Sequence, residues 1–297
     1  MNKKFSAFSI IEIGSVIVLI CLVIAGSISS SRVVNFMSIT NARETTSESA
    51  LNLMKQDIIL WLDSTSESSI DKRSSSEKTL VNNWYDSNSI ESAPTSASQE
   101  NQDLAPQFTT NSFNSLPALK FDGVDDSMKI NNFYQKTLRD KRVFGNNFAI
   151  FLTLKPLPGS GGDGILLSSE RSEIKNSDNV AAISLSLNQN KILLTEASNK
   201  KSSEALSFES NFAKPMAILV EYRAKEPRIF INNKITKIGQ QSSFEKVLPP
   251  NFVGDLNQKN SFNGLVGEII IINRSIDDAE RAEVFGYLGK KWRLPVK

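Results

Sequence analysis

Hydrophobic and polar positions divide this chain into three regimes. The first is an apolar run, Phe8 to Ile28, in which Glu12 is the only charge. A helix of that length, rising ~1.5 Å per residue, reaches about 30 Å, the thickness of a bilayer's hydrocarbon. Val33, Val34, Phe36, Met37 and Ile39, then Ala50, Leu51, Leu53, Met54, Ile58 and Ile59, follow at mixed three-to-four spacing without Pro or Gly. That pattern either extends the helix or lets it break in the polar stretch Thr40 to Ser49. The second regime, Ser64 to Ser115, is serine-rich with scattered Leu80, Val81, Trp84, Tyr85 and Phe108, and it predicts long loops that are either disordered or pinned to a core by their aromatics.

The third regime runs from Leu116 onward in short β-rich stretches separated by Gly, Asn, Pro and Ser clusters. They are Ala118 to Phe121, Phe148 to Leu154, Ile165 to Ser168, Val180 to Leu187, Lys191 to Thr195, Met216 to Tyr222, Arg228 to Ile231 and Leu265 to Ile272. Alternation such as Ile183-Ser184-Leu185-Ser186-Leu187 suits strands with a buried face, and Asn188-Gln189-Asn190 makes a turn between two of them. Many antiparallel strands with little helix predict a mainly β fold, a sandwich. At the end, Asp277 with Glu280 three residues on forms a capping-box pattern. It opens a helix that places Val284, Tyr287, Leu288 and Trp292 on a core-facing stripe and leaves Arg281, Lys290 and Arg293 to water.

Composition narrows the chemistry. The net charge of +2 comes from intermixed acids and bases, which leaves no electrostatic footprint for nucleic acid. There is no histidine, which removes histidine-based nucleophile pairs, general catalysis and metal ligation. The single cysteine, Cys21, lies in the apolar run, so no intrachain disulfide forms.

Lys3 and Lys4 precede the apolar run, so the positive-inside bias keeps the start of the chain cytoplasmic and sends the remainder across. A small residue, Ala7, stands before the run rather than after it, the reverse of a secretory signal. This arrangement, Met1 to Ala7 followed by Phe8-Ser9-Ile10-Ile11-Glu12, resembles the leader of type IV prepilins and pseudopilins, with Ala7 where that family has Gly. The resemblance implies cleavage between Ala7 and Phe8 by a prepilin peptidase, N-methylation of Phe8, and filament assembly in which Glu12 meets the amine of a neighbouring subunit. A carboxylate in an apolar span is costly unless a counter-charge meets it. In a plain signal anchor, Glu12 would instead reach interfacial water.

The chain then divides into a leader (1–7), a transmembrane or filament-core helix (8–31), a helix extension (32–59) and a soluble domain (60–297) with its serine-rich region at 64–115. Three phrases of that domain resemble concanavalin A-like, laminin-G-like jelly rolls: Leu60-Trp61-Leu62-Asp63, the stretch Leu116 to Asp126, and Phe262 to Arg274 with the helix after it. Together these resemblances imply a minor pilin or a type II secretion pseudopilin displaying a lectin-like domain for adhesion or recognition. Its location would be single-pass in the inner membrane with the domain in the periplasm, or extracellular in a pilus. Implied partners are the prepilin peptidase, other pilin subunits, the inner membrane and a carbohydrate. The alternative is a membrane-anchored periplasmic carbohydrate-binding protein outside any filament.

No cofactor is required by these readings. Asp122, Asp125 and Asp126 around Gly123 form an oxygen-rich loop that suits calcium, although Asp and Gly are equally the residues of tight turns. Trp84, Tyr85 and Tyr134 are the aromatics a sugar platform would use, whereas Trp61 and Trp292 belong to the core. The Gly159 to Gly164 stretch lacks the Lys-Ser/Thr ending of a phosphate loop and reads as a hairpin connection. No Glu-x-Asp-x-Glu pattern occurs and Glu268 stands alone before Ile269 to Ile272, so the chain is expected not to be an enzyme.

Overall fold

A computed structural model describes residues 10–74, 78–88, 96–134, 145–159, 164–170, 178–257 and 259–296. Helix α1, Ile10–Ser47, leads into eighteen strands. These are β1 (Ile58–Asp63), β2 (Ile70–Ser74), β3 (Thr79–Tyr85), β4 (Ser96–Ser98), β5 (Gln107–Phe113), β6 (Leu116–Asp122), β7 (Ser127–Ile130), β8 (Phe148–Pro156) and β9 (Ile165–Ser168). They continue with β10 (Val180–Leu187), β11 (Lys191–Ala197), β12 (Ser202–Glu209), β13 (Met216–Arg223), β14 (Glu226–Ile231), β15 (Lys234–Ile238), β16 (Lys246–Leu248), β17 (Phe252–Gly254) and β18 (Asn263–Ile272). Helix α2, Asp278–Trp292, closes the chain.

Strand β18 organises one layer. Its first half pairs with β6 and its second half with β1, while its other edge pairs with β8; β13, β14 and β15 follow beyond β8. The second layer runs β2, β3, β4, β7, β17, β9, β10, β11, β12, with β16 parallel to the start of β10. The result is a mainly β sandwich with a short C-terminal helix. Between the layers lie Phe148, Ile150, Leu152 and Leu154 of β8, Ile218, Val220 and Tyr222 of β13, and Ile269 and Ile271 of β18.

The alternate residues of the same strands, Phe151, Leu219, Ile270 and Ile272, face outward into a second core roofed by α2 and the C-terminal half of α1. Both faces of the β18 layer are therefore dry, which is why Ile269 to Ile272 is unbroken apolar sequence rather than alternating. Helix α2 opens with the expected capping box, Asp277 accepting from the Glu280 amide and Glu280 accepting from the Asp277 amide. Val284, Tyr287, Leu288 and Trp292 are buried as the spacing predicts, joined by Phe285 and, unexpectedly, Lys291.

Lys291 is buried because β18 places Glu268 beneath it. Glu268 accepts from the indoles of Trp61 (2.6 Å) and Trp292 (2.7 Å) and the hydroxyl of Tyr287 (2.6 Å). The Lys291 ammonium lies 3.0 Å from Glu268 and 2.8 Å from Asp63 on β1. Burial pushes the Glu268 carboxyl above its ordinary range, and the Lys291 charge pulls against that shift. Gly267 makes the arrangement possible, since a Cβ there would stand 2.5 Å from the Trp292 ring.

Two expectations are corrected here. The serine-rich region carries strands β2 to β5 rather than long loops, with Trp84 fully buried. Its serines lie in a layer whose apolar contacts come from the interleaved Ile70, Val81, Trp84 and Ala97. Secondly, no helix among the described residues is long and apolar enough to cross a membrane. This overturns the single-pass inner-membrane location, with its transmembrane segment and periplasmic address. The apolar run of α1 gives way to Ser29, Ser30, Ser31 and Arg32, and the helix then continues through polar residues to Ser47.

Replacing Lys291 leaves two buried carboxylates without their cation, a change of the kind that costs about 3–5 kcal/mol. Lys291→Met is expected to lower the unfolding free energy by that amount in denaturant titrations. The triple variant with Glu268→Gln and Asp63→Asn is expected to recover part of the loss.

Candidate functional site

The acidic loop is the turn between β6 and β7. Gly123 adopts φ +85°, and a Cβ there would lie 2.6 Å from that of Asn263. Asp122 accepts from the Val124 amide at 2.8 Å, and the Asp122 amide donates to Asp126 at 2.8 Å. The carboxylates of Asp122, Asp125 and Asp126 lie within 4.8 Å of one another, the group among the described residues that has the oxygen donors for a hard cation. Its internal hydrogen bonds are also those of a self-capped turn.

Asp126 is 5% exposed, and its carboxyl is pushed up to about 7 by burial first and the Asp122 charge second. Asp125 is raised in the same way. Because the folded value of Asp126 exceeds the unfolded one, its contribution to stability is complete below ~3.9 and is lost as pH rises through about 7. Asp126→Asn, which keeps an oxygen for the Asp122 amide, is expected to flatten this decline. At pH 8 it is expected to be more stable than the parent by on the order of 1–3 kcal/mol, measured by denaturant titration from pH 4 to 8.

The aromatic candidates are not a binding platform. Trp84 and Tyr134 are fully buried, and the Tyr134 hydroxyl donates to the Pro249 carbonyl at 2.9 Å, so both serve the core; Tyr85 is half-buried at the end of β3. Trp61 and Trp292 are buried as expected. Much of the Gly159 to Gly164 connection lies outside the described residues.

A second concave site occurs where α1 meets β1. The cleft measures about 490 Å³ and is walled by Arg43 and Thr46 of α1, Asn52 and Lys55 of the connection, and Trp61 and Asp63 of β1, with serine hydroxyls completing the rim. Arg43 donates to the Thr65 carbonyl at 2.9 Å, and Thr46 lies 3.2 Å from the Tyr287 hydroxyl, so the cleft sits directly above the Glu268 cluster. Sequence reasoning missed it, because its residues come from three segments with no shared motif. The only local signal was Trp61-Leu62-Asp63 beginning the domain.

Ala7 and Phe8 lie outside the described residues, and Glu12 lies within α1. Lower on α1, Ser38, Ala42 and Thr46 face the domain. Val33, Val34, Phe36 (71% exposed) and Met37 (59%) lie open to solvent, as do Val16, Ile17, Val18 and Ile20 nearer its start.

No family model matches the sequence, and no curated protein matches it. Among solved structures the chain is similar to a botulinum neurotoxin type C structure described as dependent on two ganglioside molecules for cell entry, at 10% identity and TM-score 0.48, over 80% of this chain and 53% of that one. It is similar to domain 4 of a GH43 extracellular arabinanase from Geobacillus stearothermophilus, in complex with arabinotriose, at 12% identity and TM-score 0.42, over 61% of this chain and 82% of that one. It is also similar to Trypanosoma rangeli sialidase, at 13% identity and TM-score 0.46, over 77% of this chain and 32% of that one. The chain spans about half the length of the botulinum structures it matches. Likenesses of this size carry no argument about function.

Proposed function

We propose that this chain is a non-catalytic assembly subunit of the minor pilin or pseudopilin kind, in which α1 bundles with α1 of further copies and the sandwich is displayed for recognition. The observation that carries this reading is the apolar side of α1. Among its described side chains Val16, Ile17, Val18, Ile20, Val33, Val34, Phe36 and Met37 are exposed, an apolar surface that the domain leaves uncovered and that a partner would bury. A second copy's α1 is the partner of matching chemistry, since it presents the same aliphatic side chains and brings its own N-terminal amine to the carboxylate of Glu12. Processing between Ala7 and Phe8, with N-methylation of Phe8, belongs to the same proposal.

The non-catalytic part rests on chemistry. Glu268, the acid that a lone-carboxylate mechanism would need, is sequestered by four donors under a helix. A concanavalin A-like identity for the sandwich belongs to the proposal as well, and it rests on the three sequence phrases named above.

Val33→Asp combined with Phe36→Asp is expected to remove the chain from sheared filaments or other high-mass assemblies. Because both positions are exposed, the melting temperature is expected to change little. Incorporation at the parental level would overturn the reading. Mass spectrometry of the native protein is expected to find an N-terminal methylated Phe8, and a chain still beginning at Met1 would count against the family assignment.

A further inference from the structure

We infer that the pocket between the β12–β13 connection and the start of β15 binds a small aryl carboxylate. Its volume is about 380 Å³, within the size range of small-molecule sites. The floor is apolar, made by Phe208 and Phe212 with Met216 and Ile231, and Pro295 flanks it from the end of the chain. The Phe208 and Phe212 rings lie 6.0 Å apart and are tilted by 56°, which offers a third ring an edge and a face to pack on.

Two cations stand beside this floor. Lys214 lines the pocket from the β12–β13 connection and Lys234 from β15; both are exposed, and neither ammonium has a partner among the described residues. No acid among the described residues lines the pocket. Asn211, Asn232 and Thr236, three of the four neutral polar side chains in the lining, are engaged in the turns themselves. The Asn211 carboxamide accepts from the Ala213 amide at 3.0 Å, that of Asn232 accepts from the Ala217 amide at 2.9 Å, and the Thr236 hydroxyl donates to the Lys234 carbonyl at 3.3 Å. What remains unengaged is positive charge beside an apolar, partly aromatic floor. An inorganic anion would leave the floor unused, and the hydroxyls of a sugar would find most of the polar side chains engaged. A carboxylate borne on a ring uses both features.

The walls are held in place by the fold. The Ser210 and Phe212 amides donate to the Asn190 and Gln189 carbonyls at 3.0 and 2.8 Å, which ties the β12–β13 connection to the β10–β11 turn. On the opposite wall the Asn232 amide donates to the Ala217 carbonyl at 2.9 Å while the Ala217 amide donates to the Asn232 side chain, which ties the β14–β15 turn to β13. Preorganisation of this kind lowers the ordering cost of binding. No residue of α1 lines the pocket, so the inference does not depend on assembly through that helix.

Calorimetric titration of the purified full chain with phenylpropionate, in parallel with phenylpropanol and acetate, tests the inference. Phenylpropionate is expected to bind with one-to-one stoichiometry. The alcohol, which lacks the charge, and acetate, which lacks the ring, are expected to bind at least ~10-fold more weakly, and the phenylpropionate affinity is expected to fall as salt is raised. Lys214→Gln combined with Lys234→Gln, both at exposed positions where substitution disturbs the fold little, is expected to bring phenylpropionate down to the level of the alcohol. The Val33→Asp, Phe36→Asp chain is expected to bind like the parent, which separates this test from that of assembly. Absence of binding at millimolar phenylpropionate, equal affinity for the alcohol or for acetate, or unchanged affinity in the double lysine variant would overturn it.

Discussion

The fold depends on how one buried carboxylate is satisfied. Glu268 lies on the outer face of β18, where its desolvation would be prohibitive alone, and two elements converge to supply its partners: Trp61 from β1, and Tyr287, Lys291 and Trp292 from α2, with Thr46 of α1 beside Tyr287. Each donor occupies a distinct direction around the two oxygens. Hydrophobic burial fixes how close α2 comes to the sheet, but this cluster fixes its rotation and register, because a turn of α2 in either direction would strand the charge.

That constraint extends to α1. Among its described side chains the helix is seated near its end, through Ala42, the Arg43 bond to Thr65, and the Arg293 bond to Ser38. The seat is therefore specific and local, and it leaves the remaining apolar side of α1 facing outward. A domain that needed α1 only for its own stability would have no reason to keep Phe36 and Met37 in water, where apolar burial worth roughly 25 cal/mol per Å² is forgone. Local seating and open apolar surface together fit a helix whose other contacts are with further chains.

Much of the sandwich was legible in the sequence because its strands either alternate or run continuously apolar. Phe148 to Leu154, Val180 to Leu187 and Leu265 to Ile272 emerged with boundaries close to those of β8, β10 and β18. Strands β2 to β5 and β12 were not legible, because serine and charge in β2, β4 and β12 and Asn, Thr and Gln in β3 and β5 break up their apolar pattern, and their stability comes from neighbours across the sheet rather than from propensity. Turn chemistry was similarly uneven. Asn232-Asn233 is a recognisable left-handed pair between β14 and β15, yet Ala224-Lys225 adopts the same geometry between β13 and β14 with no such signal. At the candidate sites, sequence identified the acidic turn but not the cleft, whose walls are brought together only by the seating of α1. Lys291 was missed for a different reason: its position, four residues after Tyr287 and three after Leu288, falls on the buried stripe, but only Glu268 beneath it explains how a charge is held there.

Glu268 and Asp126, two of the buried acids among the described residues, show what separates a structural carboxylate from one left poised. Glu268 has a cation and three neutral donors, so its charge is accommodated and the cluster serves as a rivet. Asp126 has one backbone donor and two acidic neighbours, so its proton is held to about 7 and the turn carries an electrostatic cost that grows as that proton leaves. The difference follows from position. Glu268 is covered by α2, which can deliver side chains from above, whereas Asp126 sits where β6 turns into β7 and accepts its hydrogen bond from the turn's own backbone. Glu268 is thus held where two elements cross, whereas Asp126 stays poised in its turn, and pH acts on stability through that turn as the Asp126 proton leaves.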